Sequence, residues 1–116
     1  MRTEIHPTPA LSGQYDLHPF QSLTLAAAKA ADVGMVRIGA GTRIPAEGMR
    51  ASAQHEIAYI VSGSARVDTA DGSRIVSAGD VLISSPTELH ATTALVDTIV
   101  FYVLIDPGQR LAASGS

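Results

Sequence analysis

From Gly34 onward the sequence is built of short apolar runs separated by turn signals. Met35-Val36-Arg37-Ile38 leads into Gly39-Ala40-Gly41, and Ile57-Ala58-Tyr59-Ile60-Val61 leads into Ser62-Gly63-Ser64. Ala65-Arg66-Val67 precedes Asp71-Gly72, a dipeptide whose backbone freedom suits a tight hairpin. Arg74-Ile75-Val76 ends at Ala78-Gly79-Asp80, and Val81-Leu82-Ile83 ends at Ser84-Ser85-Pro86. The longest run, Thr98 to Ile105, stops at Asp106-Pro107-Gly108. Short runs at this spacing, bounded by glycine, proline, serine and aspartate, predict the strands of an all-β sandwich or barrel.

The part before Gly34 reads differently. Pro7, Pro9, Pro19 and Gly13 fall within the opening stretch. They predict an irregular arm with room for one short edge strand, since proline fixes φ and removes a ladder donor. Ser22 to Ala31 is ambiguous: Ala26-Ala27-Ala28-Lys29-Ala30-Ala31 has high helix propensity, whereas Leu23-Thr24-Leu25 reads as a strand followed by a turn at Ala31-Asp32. The β character of everything downstream favours the strand. The expected division is an arm over 1–22, a barrel over 23–108 and a frayed tail over 109–116.

Composition narrows the function classes. The length of 116 residues fits one domain, which typically holds ~100–150 residues. Charged residues make up 16% and hydrophobic ones 46% of the chain. That is too apolar for disorder, and the low charge points to surface hidden in an oligomer. A net charge of −3 with a single lysine, Lys29, leaves no basic stripe, so no nucleic-acid partner is expected. The absence of cysteine excludes disulfides, thiol catalysis and cysteine-zinc sites. No run approaches the ~18 apolar residues of a membrane span, and the N-terminus lacks an apolar signal core. Cytoplasmic residence is therefore the expectation.

Two segments carry a resemblance. Glu56-Ile57-Ala58-Tyr59-Ile60-Val61-Ser62-Gly63 is an acid followed by an apolar strand and a turn glycine. Gly79-Asp80-Val81-Leu82-Ile83-Ser84-Ser85-Pro86-Thr87-Glu88-Leu89-His90 is a Gly-Asp turn, an apolar strand, a proline turn and a histidine. In this order, with the Ala65–Ile75 hairpin between them, they resemble the two motifs of a small single-domain cupin, over residues 35–104. The resemblance implies a jelly-roll β-barrel, with Glu56 and His90 converging on its mouth from neighbouring strands.

The family's metal-binding members carry H-x-H ahead of the acid, and the matching positions here are Arg50 and Ser52. Arginine is a permanent cation with no lone pair to give, and neutral serine is a weak ligand. Only Glu56 and His90 match the family's four ligands, so the expectation is no tightly bound metal. The alternative is a divalent metal such as Zn, Fe, Ni or Mn held by His55, Glu56 and His90, although strand alternation turns neighbours to opposite faces. Arg50 reads either as a surface side chain or as an inward donor fork for a substrate carboxylate or for Glu56. The parity of 50, 52, 54 and 56 would place Arg50, Ser52, Gln54 and Glu56 on one face of a continuous strand. Tyr59 is a further substrate-binding candidate, against the plainer reading of a core tyrosine. His6, His18 and Glu88 read as solvated.

With Glu56 and His90 as the catalytic pair, the expected function is a small-molecule enzyme working by acid–base chemistry. Its class would be isomerase, cyclase, epimerase or lyase. The alternatives are a metal-dependent cupin enzyme with substituted ligands and a non-catalytic ligand-binding cupin. A homodimer is expected, since edge strands of a small barrel need protection and two-fold dimers are the commonest oligomers.

Overall fold

The structure, a computed structural model, describes residues 4–24 and 30–107. Nine strands follow in chain order: β1 (Tyr15–Thr24), β2 (Ala30–Ile38), β3 (Arg43–Ile44), β4 (His55–Ser62), β5 (Ser64–Thr69), β6 (Gly72–Ser77), β7 (Val81–Ser84), β8 (His90–Ala94) and β9 (Thr98–Ile105). They form a five-stranded sheet ordered β1-β2-β9-β4-β7 and a four-stranded sheet ordered β3-β8-β5-β6. Every named pairing is antiparallel. The all-β architecture read from the run-and-turn pattern is the one observed, as two facing antiparallel sheets, the arrangement that the resemblance implied.

Register turns the sequence pattern into layers. Across the large sheet, one set of partners runs Leu82–Ala58–Tyr102–Gly34, and the next runs Ile60–Val100–Val36–Leu17. These even positions of β2, β4, β7 and β9 face the small sheet. The buried cluster of Val36, Ile38, Ala58, Ile60, Ala94, Val100 and Tyr102 forms there, with Ile44, Val76, Leu82 and Leu104 packed against it. Removing each such aliphatic side chain from water contributes roughly 1.5–3 kcal/mol. Tyr102 also occupies the space that Gly34, directly opposite, leaves by having no side chain.

The passage between the sheets is abrupt. β4 lies in the large sheet, β5 in the small one, and only Gly63 separates them. Gly63 has φ +92, and a Cβ there would collide with the Asp97 carbonyl and the Thr98 side chain. Thr98 is fully buried. Its hydroxyl lies 3.0 Å from the Ser64 carbonyl and 2.8 Å from that of Val96. The Leu95 N–H donates to the same Ser64 carbonyl at 2.9 Å. An unpaired buried hydroxyl costs ~1–3 kcal/mol, so this clamp fixes where the chain changes sheets.

Two expectations about the N-terminal region need correction. The arm is irregular only as far as Gln14; from Tyr15 it is a ten-residue strand paired along its length with β2. Pro19 is accommodated at the sheet edge beside a register shift between Pro19 and Gln21, where a missing donor disrupts least. Ala31-Asp32 is not a turn but the start of β2, paired with Leu23 and Ser22. The helix-or-strand question over residues 25–29, including Lys29, and the tail beyond 107 lie outside the described residues. β3 was not anticipated, being a two-residue pairing of Arg43 and Ile44 with Thr93 and Thr92.

Gly63→Ala should lower unfolding stability in urea by clearly more than ~1 kcal/mol, combining positive-φ strain with the collision. Gly72→Ala tests the cause: Gly72 shares a positive φ but has open space around its Cβ, so it should cost less. Equal losses would show that the close approach to Asp97 and Thr98 is unimportant.

Candidate functional site

A cavity of about 420 Å³ opens between the sheets, within the ~300–1,000 Å³ usual for small-molecule sites. Glu56, Ser52, Arg50 and His90 form a polar group in its lining, to which Thr92, Thr98 and the Tyr15 and Tyr102 phenols add hydroxyls. Glu56 stands near the start of β4, in the cross-strand row Ser84–Glu56–Leu104–Asp32. His90 begins β8, in the opposite sheet. The two therefore face each other across the sandwich, and are not on neighbouring strands as expected. His90 Nε2 lies 3.8 Å from Glu56 Oε1, an ion-pair distance when the imidazole is protonated but too long for a hydrogen bond.

The main chain holds this end of the cavity. Arg50 and His90 form an isolated antiparallel bridge, with reciprocal N–H to carbonyl bonds of 3.1 and 3.2 Å. The Thr87 N–H donates to the Ser52 carbonyl at 3.0 Å, tying the bend before β8 to the same segment. His90 Nδ1 lies 3.2 Å from the Glu88 carbonyl oxygen. A carbonyl only accepts, so this contact assigns the proton to Nδ1. Nε2 then presents its lone pair to the cavity, where it can take up a proton.

Strand continuity fails between Arg50 and Glu56. Residues 51–54 form no strand, and the Ser52 hydroxyl accepts the Gln54 N–H at 3.0 Å in a local turn. This changes the parity. Arg50, Ser52 and Glu56 line the cavity, whereas Gln54 does not. Gln54 Nε2 instead donates to Asp106 Oδ1 at 2.9 Å, while Asp106 Oδ2 accepts the Ala30 N–H. Gln54 thus ties the loop to the β2–β9 pair. Tyr59 is also misplaced by the substrate-contact expectation: it lies outside the cavity lining and is 43% exposed, on the outer face of β4.

The donor set does not suit a metal. His55 precedes Glu56 in an extended strand and is not part of the cavity lining, so the alternative set of His55, Glu56 and His90 is not assembled. Among the described residues, no group of three or more His, Asp or Glu side chains converges. Glu56 and His90 alone fall short of the three or four protein ligands that divalent sites commonly use, and the Arg50 cation repels a metal ion.

Several lining residues were missed by sequence reasoning. Tyr15 and Leu17 belong to the segment read as an arm, and Tyr102 was read as ordinary core. Burial raises the Tyr102 phenol pKa above its usual value, with further contributions from Tyr15 and Asp32, so it stays neutral. Alternation within Tyr15-Asp16-Leu17 was the available signal, masked by the neighbouring prolines.

The comparisons agree with this architecture. The structure is similar to that of KdgF from a Halomonas species, with a TM-score of 0.67 and 16% identity over 91% of this chain and 93% of that one. It is similar to an RmlC-like cupin from Shewanella frigidimarina at a TM-score of 0.61 and 15% identity, covering 88% and 85% of the two chains. A cupin superfamily protein from Desulfitobacterium hafniense matches at 0.62 and 15% identity, over 84% and 83%. At such identities the likeness speaks for the fold. No curated protein matches the chain by sequence. Residues 34–114 match the family described as the AraC-like ligand binding domain, so the chain is a cupin-fold protein belonging to that ligand-binding family.

Proposed function

We propose that the cavity binds a small organic molecule and that Glu56 and His90 act on it as an acid–base pair. One observation carries this reading: a carboxylate and an imidazole of assigned tautomer face each other at the charged end of a mostly apolar cavity. His90 Nε2 takes a proton from carbon or oxygen, and Glu56 stabilises the resulting imidazolium. Alternatively, Glu56 is the base and protonated His90 returns the proton. Either order suits isomerisation, epimerisation, cyclisation or elimination beside a carbonyl. Binding without turnover is a second reading, favoured by the family's ligand-binding character. Under it, the same residues hold the ligand's polar group.

Proton exchange tests the pair without the natural substrate. In deuterated buffer, NMR should show the chain accelerating α-proton exchange in phenylpyruvate or oxohexanoate. His90→Ala and Glu56→Gln should each lower the enzymatic rate about 10²–10⁴-fold with the unfolding midpoint retained. Rates equal to buffer, or unchanged in both variants, would rule out acid–base chemistry and leave the binding reading.

We also propose a homodimer formed through the outer face of the large sheet. Its partner rows run Val81–Tyr59–Phe101 and Ile83–Ile57–Val103–Val33, ending beside Met35, which is already buried within the chain. These rows carry no charged residue. Ile83 is 72% exposed and Val81 58%, on the edge strand β7. The occupant that fits is a second copy: the net charge of −3 opposes self-association elsewhere, while an uncharged apolar face is complementary to itself. Light scattering should give twice 12.0 kDa at micromolar concentration, and Ile83→Glu should give the monomer mass. A monomeric wild-type chain would overturn the proposal.

A further inference from the structure

The cavity's polarity is graded along its length. At one end stand Arg50, Ser52, Glu56 and His90. One step inward, the rows become Leu82–Ala58–Tyr102 in the large sheet and Ile44–Thr92–Val67 in the small one. Beyond them lie Ile60, Val100 and Val36, facing Ala65 and Val76. The deepest hydroxyl, Thr98, is turned to the Ser64 and Val96 carbonyls. The Thr92, Tyr102 and Tyr15 hydroxyls are the remaining side-chain partners along this interior, so each ligand hydroxyl beyond those few would be buried unpaired at a cost of roughly 1–3 kcal/mol. A polyhydroxylated ligand is therefore a poor fit, and an aliphatic or aromatic body a good one.

The headgroup follows from the charges at the polar end. Arg37 is paired with Asp97, and Arg66 with Asp68. Arg50 has no carboxylate within ion-pair distance among the described residues. It is exposed, at the rim of the cavity, with its backbone held by the bridge to His90. A guanidinium fork placed there recognises a planar anion through two parallel hydrogen bonds. The Glu56 carboxylate faces His90, at 3.8 Å, and not Arg50.

Resting on the binding reading above, we infer that the ligand is an amphipathic carboxylate. Its apolar body fills the space between the sheets, and its single carboxylate engages Arg50 at the rim.

Calorimetric titration with hexanoate, octanoate and phenylacetate, against hexanol, octanol and phenethyl alcohol, tests the assignment. Glucuronate serves as a carboxylate without an apolar body. The acids should bind at least about tenfold tighter than the matched alcohols, and glucuronate should not bind detectably. Arg50→Gln should abolish the preference for acids while leaving alcohol affinity unchanged, and Arg50→Lys should restore part of it. Acids and alcohols of equal affinity, an unchanged preference in Arg50→Gln, or binding of glucuronate in place of octanoate would each overturn the headgroup or body assignment while the binding reading stands. If no acid, alcohol or sugar acid binds, the binding reading fails together with the inference.

Discussion

The chain's change of sheets at Gly63 sets the geometry on which the rest depends. A single residue carries the backbone out of the five-stranded sheet and into the four-stranded one. It can do so because the missing side chain lets it pass against Asp97 and Thr98. The turn fixes the phase of both flanking strands. On one side Ile60 and Ala58 point inward; on the other, Ala65 and Val67 do. The register shift in β4 between Ile60 and Ser62 lies immediately before it, where increased twist helps a strand leave its sheet. A displacement of one residue here would exchange inner and outer faces along β4 and β5.

From that phase the cavity's character follows. Even-numbered positions of β2, β7, β9 and, as far as Ile60, β4 look inward and are mostly aliphatic, apart from Gly34, Thr98, Tyr102 and the end row containing Glu56. The polar end is thus one rung of the sheet ladder, closed from the opposite side by His90. The same ladder leaves an unusually apolar outer face, because β9 and β4 carry hydrophobic residues at odd positions as well. Such two-sided strands read as continuous runs without alternation, which is how Thr98 to Ile105 appears in the sequence.

Much of this was legible beforehand where local chemistry decides structure. Asp71-Gly72 marked the β5–β6 hairpin, and the run from Thr98 to Ile105 is β9 to the residue. Glu56 and His90 were identifiable by resemblance, although their placement on opposite sheets depends on the crossover. The N-terminal strand was obscured because Pro19 and Gly13 argue locally against pairing, whereas an edge strand tolerates the missing donor. Gln54 was misassigned because simple parity assumes a continuous strand, and the Ser52 turn breaks it. Tyr59 sits one residue out of phase with Ala58, and no count within the strand alone says which face is inside.

The bridge joining Arg50 to His90 separates scaffold from chemistry. It is made of backbone groups, so it holds the rim whatever side chains stand at those positions. The aliphatic rows that join the sheets lie further in and do not involve Arg50 or Ser52. A lineage sharing this frame can therefore exchange rim residues without rebuilding its core. The frame of the barrel and the chemistry at its opening are thus set by different atoms, and the one can change while the other stays.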